Sequence, residues 1–320
     1  MTTLTSQSDA LEAASRGVVL IDRPDLATIA LGGADALRYL HAVCTQHTAD
    51  LRPGDAAEAL LLSPKGRIEF AFRLGVLDGG VLLDADAEAA PALAERLARF
   101  VFRHDVAVGT PATGAVSLLG PAAGDALAAA GVPGHGGGRG AGPAAEPAGG
   151  TGLVAHRTAA GVDLVGPDAP EAAARLGRAG VASGPAELWE LVRVERGLPR
   201  AGRELTDDVL AEEAGLLGSH VHLDKGCYPG QETVARVHNL GQVQRRLAGL
   251  RFAPAPVQDL PAPRTDLVTD DGRRAGQLRS VVRHPELGPI GLAYVRRVVG
   301  PGHLVLAGDH PATVVELPFR

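Results

Sequence analysis

The sequence predicts an α+β protein that ends in a purely β domain, and three observations support this prediction. At 320 residues the chain is long enough for two or three domains with substantial cores. Up to residue 245, stretches with strand periodicity alternate with stretches of helical periodicity. From residue 246 onward only short strand patterns occur, and Gly and Pro separate them at nearly regular spacing, which predicts a small barrel or jelly roll.

Hydrophobic spacing predicts the individual elements. Residues before Ser15 are expected to form a short tail. Ile68, Phe70 and Phe72 alternate with other residues, as in a half-buried strand, whereas Cys44 continues one apolar face of a helix and is expected in the core. The predicted strands are 18–22, 27–31, 60–63, 67–77, 81–84, 106–108, 116–120, 153–156, 162–165, 247–252, 267–269, 276–282, 290–295, 304–306 and 312–316. The predicted helices are 33–44, 88–102, 122–131, 170–179 and 186–196.

Residues 134–150 interrupt this pattern with a stretch of low complexity. They contain eight glycines and two prolines in 17 residues. Such a segment buries too little apolar surface to offset the entropy of ordering it, so it predicts a flexible surface insertion. A glycine-rich phosphate loop is the alternative, although the Gly-Lys-Ser/Thr ending of that motif is missing.

Composition and charge exclude several classes of function. The net charge is −6, from 31 basic and 37 acidic residues, which argues against tight nonspecific binding of nucleic acid. Only Cys44 and Cys227 are present, so a disulfide framework is not expected and a reduced, cytoplasmic setting fits. Two thiols also cannot supply the four ligands of an ordinary iron–sulfur cluster. We expect no signal peptide at the N-terminus and no segment that spans a membrane.

One stretch, residues 223–241, carries the strongest local signal for chemistry. Its pattern predicts the end of a strand, a tight turn at Gly226, and then a helix with Pro229 in its first turn. Cys227 then lies just ahead of a helix N-terminus and two residues after Lys225, and both features favour a reactive thiolate. The alternative is that Cys227 is a small buried residue that happens to precede a helix.

A second candidate is the carboxylate of Glu195. Leu188, Leu191 and Val192 form the apolar stripe of the predicted helix 186–196, and Glu195 continues this stripe at the C-terminal end. A carboxylate there faces both the interior and the negative end of the helix dipole, so it needs a partner.

Two kinds of partner are open for Glu195. The structural alternative is an ion pair with a neighbouring arginine, Arg193 or Arg196. The functional alternative is a ligand with two parallel N–H donors, such as the N3–H and 2-amino group of a pterin ring. A third pattern is weaker: His220, His222 and Asp224 alternate and would share a strand face, where a metal site is conceivable.

Two motifs resemble one known family. Lys225-Gly-Cys-Tyr-Pro-Gly-Gln-Glu232, followed by Val-Ala-Arg236, is similar to the signature of the YgfZ family, folate-binding relatives of the glycine-cleavage T-protein. The run Arg193-Val-Glu-Arg-Gly-Leu-Pro-Arg-Ala-Gly-Arg-Glu204 resembles the folate element of both groups, with Glu195 at the position of their pterin-binding glutamate.

The resemblance implies a T-protein-like fold of two mixed sheet–helix lobes plus a C-terminal β-barrel, with a folate-binding region over 1–245 and the barrel over 246–320. It also implies an accessory protein for iron–sulfur enzymes that binds tetrahydrofolate or a derivative, with iron–sulfur client or assembly proteins as partners and an indirect link to tRNA modification. Cys227 and Lys225 would line the cavity that holds the folate and serve as its chemically active pair. We expect the remaining cofactor contacts from residues of the same two motifs: Glu195, Arg196, Tyr228, Gln231 and Arg236.

One departure from the T-protein pattern bears on activity. By register, the catalytic aspartate of the T-protein falls near Pro91, which cannot exchange a proton. Asp84, Asp86 and Glu88 are close in sequence, but solvated charge and helix capping are the simplest roles for them. A folate-dependent one-carbon transferase or demethylase therefore remains the alternative function. A binding module without chemistry of its own is the third.

Overall fold

The computed structural model describes residues 2–133, 145–147, 152–241, 243–254 and 259–319. The chain divides into two compact units. The first unit comprises Met1–Pro64, Glu69–Leu188 and Gly218–Gln231, and the second comprises Lys65–Ile68, Trp189–Leu217 and Glu232–Arg320. The predicted domain boundary after residue 245 stays a prediction.

The elements follow one another in an α+β order, as expected. Up to residue 183 they are α1 Gln7–Arg16, β1 Val19–Asp22, β2 Leu26–Gly32, α2 Ala36–Val43, β3 Ala56–Leu62, β4 Ile68–Leu77, β5 Gly80–Asp86, α3 Ala90–Ala98, β6 Ala107–Val108, β7 Ala112–Thr113, β8 Ala115–Leu119, α4 Ala123–Ala129, β9 Ala145–Pro147, β10 Val154–Thr158, β11 Gly161–Val165, α5 Ala169–Arg178 and β12 Ala182–Ser183. Three helices follow: α6 Leu188–Arg196, α7 Leu217–His220 and α8 Gln231–Leu240. The chain then forms β13 Arg245–Phe252, β14 Asp266–Val268, β15 Arg274–His284, β16 Gly288–Arg296, β17 Leu304–Ala307 and β18 His310–Val315.

Two six-stranded sheets form the first unit, counted over the described residues. One has the order β12-β1-β8-β11-β10-β9, and the other has the order β3-β4-β5-β2-β6 with β7 paired to β2. Alternation along the strands decides which face each side chain joins. On β5, for example, Leu83 packs with α2 and α3 on the helix side, while Leu82 packs with Val154 and Val165 of the other sheet. The unit is therefore layered as helices, sheet, sheet and helices.

Charged residues occupy the interior between these two sheets. Arg73 of β4 lies 2.5 Å from Asp84 of β5 and 2.6 Å from Asp163 of β11. Arg23 lies 3.4 Å from Asp163, and His156 Nε2 of β10 lies 2.9 Å from Asp84 Oδ1. We call these five residues the inter-sheet ionic layer. Burial acts to raise the pKa of Asp84, but Arg73 and His156 outweigh it and hold that pKa well below its usual range.

The expectation that Asp84 carries a solvated charge is therefore wrong. Asp84 is buried, because strand alternation turns it toward the other sheet rather than toward solvent. The helix-capping expectation is also wrong, because the N-cap of α3 is Ala89 and no side chain caps this helix. Asp86 Oδ1 instead accepts the backbone N–H of Glu88 at 3.1 Å, in the turn before α3.

The strands from Arg245 onward close into a barrel in the order β13-β16-β15-β14-β17-β18. Its interior is apolar and consists mainly of aliphatic side chains from alternate strand positions, together with Phe252, as the spacing of the sequence indicates. Leu250, Leu267 and Leu278 are fully buried in this core. The prediction of a small closed β domain is confirmed.

Two segments outside the barrel, the N-terminal residues and residues 134–150, were predicted to lack regular structure. The expected N-terminal tail is wrong, because Gln7–Arg16 forms α1, which Ser6 caps at Asp9 N–H and which buries Ala10, Leu11 and Ala14. The predicted insertion 134–150 lies outside the described residues except for β9, whose backbone pairs with β10. In the part of the chain that the structure describes, no helix has the length and apolarity needed to cross a membrane.

Candidate functional site

The carboxylate predicted to bind a ligand, Glu195, lies in the last turn of α6 in the second unit. Leu188, Leu191 and Val192 are buried, which confirms the apolar stripe that Glu195 continues. The Glu195 side chain itself is 23% exposed, so it lies at the edge of the core with part of the carboxylate accessible.

The partner of Glu195 is a histidine and not an arginine. His284 Nε2, at the end of β15, lies 3.6 Å from Glu195 Oε2. The other ring nitrogen, Nδ1, accepts the backbone N–H groups of Glu286 at 3.2 Å and Leu287 at 3.1 Å. Because Nδ1 is an acceptor, the geometry assigns the proton to Nε2, which faces the carboxylate. At 3.6 Å this is an electrostatic contact of a neutral N–H dipole rather than a full hydrogen bond.

This neighbourhood lowers the pKa of the Glu195 carboxyl group. The His284 N–H is the main cause, burial acts in the opposite direction, and the positive charge of Arg196 on the same helix adds to the lowering. Glu195 is thus a carboxylate at neutral pH and an acceptor for N–H donors. Arg196, which the sequence assigned to cofactor binding, is exposed next to it.

The arginine considered as the structural partner, Arg193, belongs to a separate buried cluster. Its guanidinium group contacts Glu190 Oε1 at 2.5 Å, Glu204 Oε2 at 3.1 Å and Ser280 Oγ at 2.7 Å. Glu204 also accepts the backbone N–H of Arg200 at 3.0 Å. Arg193 and Glu204, the first and last residues of the second motif, therefore contact each other, and Glu195 does not belong to this cluster.

The first motif places Lys225 in a structural environment within the first unit. The ammonium group donates to the backbone carbonyl of His41, in α2, and to that of Cys44 at 2.6 Å. It also lies 4.8 Å from the centre of the Tyr228 ring. Burial lowers the pKa of Lys225, and Cys44 acts in the opposite direction. Lys225 thus caps the C-terminal end of α2, where a cation is favourable.

The two cysteines differ in exposure. Cys227 is exposed in the loop before α8, whereas Cys44 is fully buried beside the apolar core of α2. Burial is the main cause that raises the pKa of the Cys44 thiol, against a smaller opposite effect from Lys225. The expectation that Cys44 is a core residue is confirmed, and the reactivity of Cys227 stays a prediction.

The other residues of the first motif fall in different environments. Tyr228 is buried, and burial together with Cys44 raises its pKa to about 12. Gln231 begins α8 and is half-buried, while Arg236 lies exposed on that helix. Their predicted role as cofactor contacts stays a prediction.

The prediction for Gly226 is wrong, because the glycine with positive φ in this segment is Gly230, at 83°. Pro229 lies in the same turn, before α8, and not in the first turn of the helix as predicted.

The predicted strand face with two histidines and an aspartate is wrong. His220 ends α7, and His222 and Asp224 follow in the loop. Burial, with a smaller effect of Arg73, lowers the pKa of His220 to about 4, so its ring is neutral. Within the described residues, no group of His, Cys, Asp or Glu side chains has the arrangement of a metal site. Alternating residues favour a strand, but the chain here ends a helix and continues as a loop, so the three side chains share no strand face.

A group of three histidines near the first motif was not predicted from the sequence. His47 lies between His41 and His222, with ring centres 4.6 Å and 5.3 Å away. His284 was likewise not predicted as the neighbour of Glu195. No local signal identifies either arrangement, because the partners come from distant segments that only the tertiary fold brings together.

Comparison with solved structures decides the fold. The chain superposes on the glycine cleavage system aminomethyltransferase T from Bartonella henselae with a TM-score of 0.81 and 23% sequence identity, over 98% of this chain and 89% of that chain. The chain has the aminomethyltransferase T fold. The predicted fold class is therefore confirmed, with its mixed sheets and helices and its closed C-terminal barrel.

Several named proteins are similar to this chain in sequence. A chloroplastic protein of Arabidopsis thaliana that carries a provisional transferase name is 25% identical over 340 residues, 98% of this chain and 74% of the relative. The mitochondrial iron–sulfur cluster assembly factor IBA57 of Homo sapiens is 33% identical over 37% of this chain and 33% of its own length. An aminomethyltransferase of Rubrobacter xylanophilus is 31% identical over 48% of this chain and 40% of its own length. No family model matches the chain.

Proposed function

We propose that this chain is a folate-binding accessory protein that supports the assembly or repair of iron–sulfur clusters in client enzymes. The observation that carries the proposal is the carboxylate of Glu195, partly exposed at the end of α6 and contacted by the neutral ring of His284 instead of an arginine. A carboxylate in this state accepts two parallel N–H donors, which is what the edge of a pterin ring offers. Tetrahydrofolate or a derivative is the proposed ligand.

Two further findings support the accessory role. Part of the chain aligns with a human mitochondrial iron–sulfur cluster assembly factor. Cys227 is exposed, so its sulfur is accessible to a partner protein. A single thiol of this kind suits one ligand of a shared cluster or a mixed disulfide, because the chain lacks the cysteines for a complete site. The cytoplasmic setting and the indirect link to tRNA modification belong to the same proposal.

Titration of the purified protein with tetrahydrofolate tests the ligand assignment. Glu195→Gln replaces one acceptor oxygen by an NH₂ donor and removes the charge, so we expect affinity to fall by about 1.5–3 kcal/mol. Glu187→Gln, at an exposed carboxylate just before α6, is the matched control and should bind like the wild type. Unchanged affinity in Glu195→Gln, with both variants folded by circular dichroism, would contradict the assignment.

The accessory role has its own experiment. In a strain that lacks the chain, we expect a cluster-dependent enzyme to lose specific activity and bound iron, and the wild-type chain to restore both. Cys227→Ser should fail to restore them, while Cys44→Ser should succeed to the extent that it folds. Full restoration by Cys227→Ser would remove the thiol from the mechanism, and thiomethylated tRNA measured in the same strains tests the link to tRNA modification.

Folate-dependent one-carbon transfer is the second candidate, favoured by the alignment with an aminomethyltransferase. Two observations weigh against it. Asp84 is committed to Arg73 and His156, and Pro91 lies in the first turn of α3, near the position expected for the catalytic aspartate. Formation of methylenetetrahydrofolate from an aminomethyl donor, at a rate that the protein increases, would support the transferase instead.

A further inference from the structure

We propose that His284 is the positioning residue of the Glu195 carboxylate. It keeps this group charged while its two oxygens remain available to a ligand. This inference rests on the proposed function, because it assigns the ligand to Glu195. It adds to the site a residue of the barrel, His284, which lies outside both sequence motifs.

The orientation of His284 is fixed by the hairpin in which it lies. His284 pairs with Gly288, the first residue of β16, and its side chain is 3% exposed. The two N–H groups of the hairpin loop, from Glu286 and Leu287, both point at Nδ1. The ring cannot turn over without leaving these two donors unsatisfied, so Nε2 with its proton stays directed toward Glu195.

A neutral single donor has a specific advantage over a cation at this position. An arginine would pair with both carboxylate oxygens through its two parallel N–H groups and would compete with a ligand that binds in the same way. His284 instead makes one electrostatic contact, 3.6 Å from Nε2 to Oε2. The lone pairs of Oε1 and Oε2 therefore remain for two parallel donors of a ligand.

The other groups around Glu195 do not replace this function. The positive charge of Arg196 also lowers the pKa of the carboxyl group, but Arg196 lies exposed on the same helix. The C-terminal segment contributes the backbone N–H of Phe319, which donates to the Glu195 carbonyl rather than to its side chain. Among the residues that the structure describes, His284 is therefore the buried side-chain donor that faces the carboxylate.

Two substitutions separate positioning from folding. His284→Asn keeps an acceptor near the place of Nδ1 for the hairpin loop but removes the donor at Nε2. His284→Gln places an amide NH₂ near the place of Nε2. We expect the Asn variant to bind tetrahydrofolate about threefold to tenfold more weakly at neutral pH and weaker still near pH 5, because the pKa of Glu195 rises toward its ordinary value. The Gln variant should stay within about twofold of the wild type.

The second measurement needs no ligand. Titration of the Glu195 side-chain carboxyl carbon by NMR should show a higher pKa in His284→Asn than in the wild type and a nearly unchanged one in His284→Gln. Equal titration curves in all three proteins, or equal binding by His284→Asn and the wild type at both pH values, would overturn the proposal. If the wild type binds no folate, the proposed function fails, while the titration still decides the role of His284.

Discussion

At the scale of single residues, the two thiols offer a direct test of the first motif. Native alkylation with iodoacetamide should modify Cys227, which is exposed, and leave Cys44, which is fully buried. Cys44 should react only after unfolding, because burial also raises the pKa of its thiol. Peptide mass spectrometry assigns the modified site, and Cys227→Ala is the control. Equal protection of both thiols in the native protein would reduce Cys227 to a packing residue.

Lys225 gives a second prediction at this scale. Its ammonium group satisfies carbonyls of His41 and Cys44, so Lys225→Met should lower the free energy of unfolding by about 1–3 kcal/mol. Urea denaturation measures this change. Lys65→Met, at an exposed turn, is the matched control and should change stability little. A fully stable Lys225→Met variant would contradict the role of Lys225 in capping α2.

The candidate site was only partly predictable from residue patterns. The apolar stripe of α6 indicates that Glu195 is a carboxylate that needs a partner. The candidate ion-pair partners close in sequence were two arginines, Arg193 and Arg196. The partner is His284, which comes from a barrel strand far along the chain, and helical spacing carries no information about it. The prediction for Asp84 is wrong for a related reason. An aspartate at the end of a predicted strand is expected in solvent, but here a second sheet covers that face of the strand and buries the side chain.

At the scale of secondary-structure elements, the inter-sheet ionic layer joins β4 and β5 to β10 and β11. Arg73→Met leaves Asp84 and Asp163 without their shared cation in a buried place, so it should cost about 3–5 kcal/mol of stability. Arg157→Met is the control, because this neighbouring β10 side chain is exposed. Chemical denaturation measures both, and equal stabilities would contradict a structural role for the layer.

Elements with strong periodicity were predicted better than weak or short ones. The barrel strands and α5 were found because their apolar positions repeat with a clear period and Gly or Pro bounds them. Helix α1 was missed because its buried face consists of two alanines and one leucine, a weak signal in a segment next to the terminus. The burial of its face comes from tertiary packing and not from local hydrophobicity.

At the scale of the whole molecule, buried titratable groups predict the dependence of stability on pH. The pKa of His220 is lowered from 6.5 to about 4, so the unfolded chain takes up a proton in this range before the folded one does. Stability should therefore fall as the pH drops from 6.5 to 4, by up to about 3 kcal/mol from this residue. Asp84 and Asp163 have lowered pKa values, so their contribution is present above 3.8 and is lost as the pH falls through their folded pKa values.

Denaturation midpoints between pH 7 and pH 4 measure this dependence. His220→Gln should show a shallower loss of stability than the wild type below pH 6.5, because it removes the group that protonates on unfolding. His303→Gln, at an exposed histidine, should follow the wild-type curve. Identical slopes in all three proteins would mean that His220 titrates normally in the folded state.

The inter-sheet ionic layer also bears on how the chain avoids misfolding. Many strands here are apolar on both faces, so hydrophobicity alone does not tell a newly made strand which side belongs to the helices. A slip of one residue would turn Arg73, Asp84 or Asp163 into the apolar helix-facing layer, away from their counter-charges. The buried charges thus disfavour register shifts of these strands, because they raise the energy of mispaired intermediates relative to the native pairing.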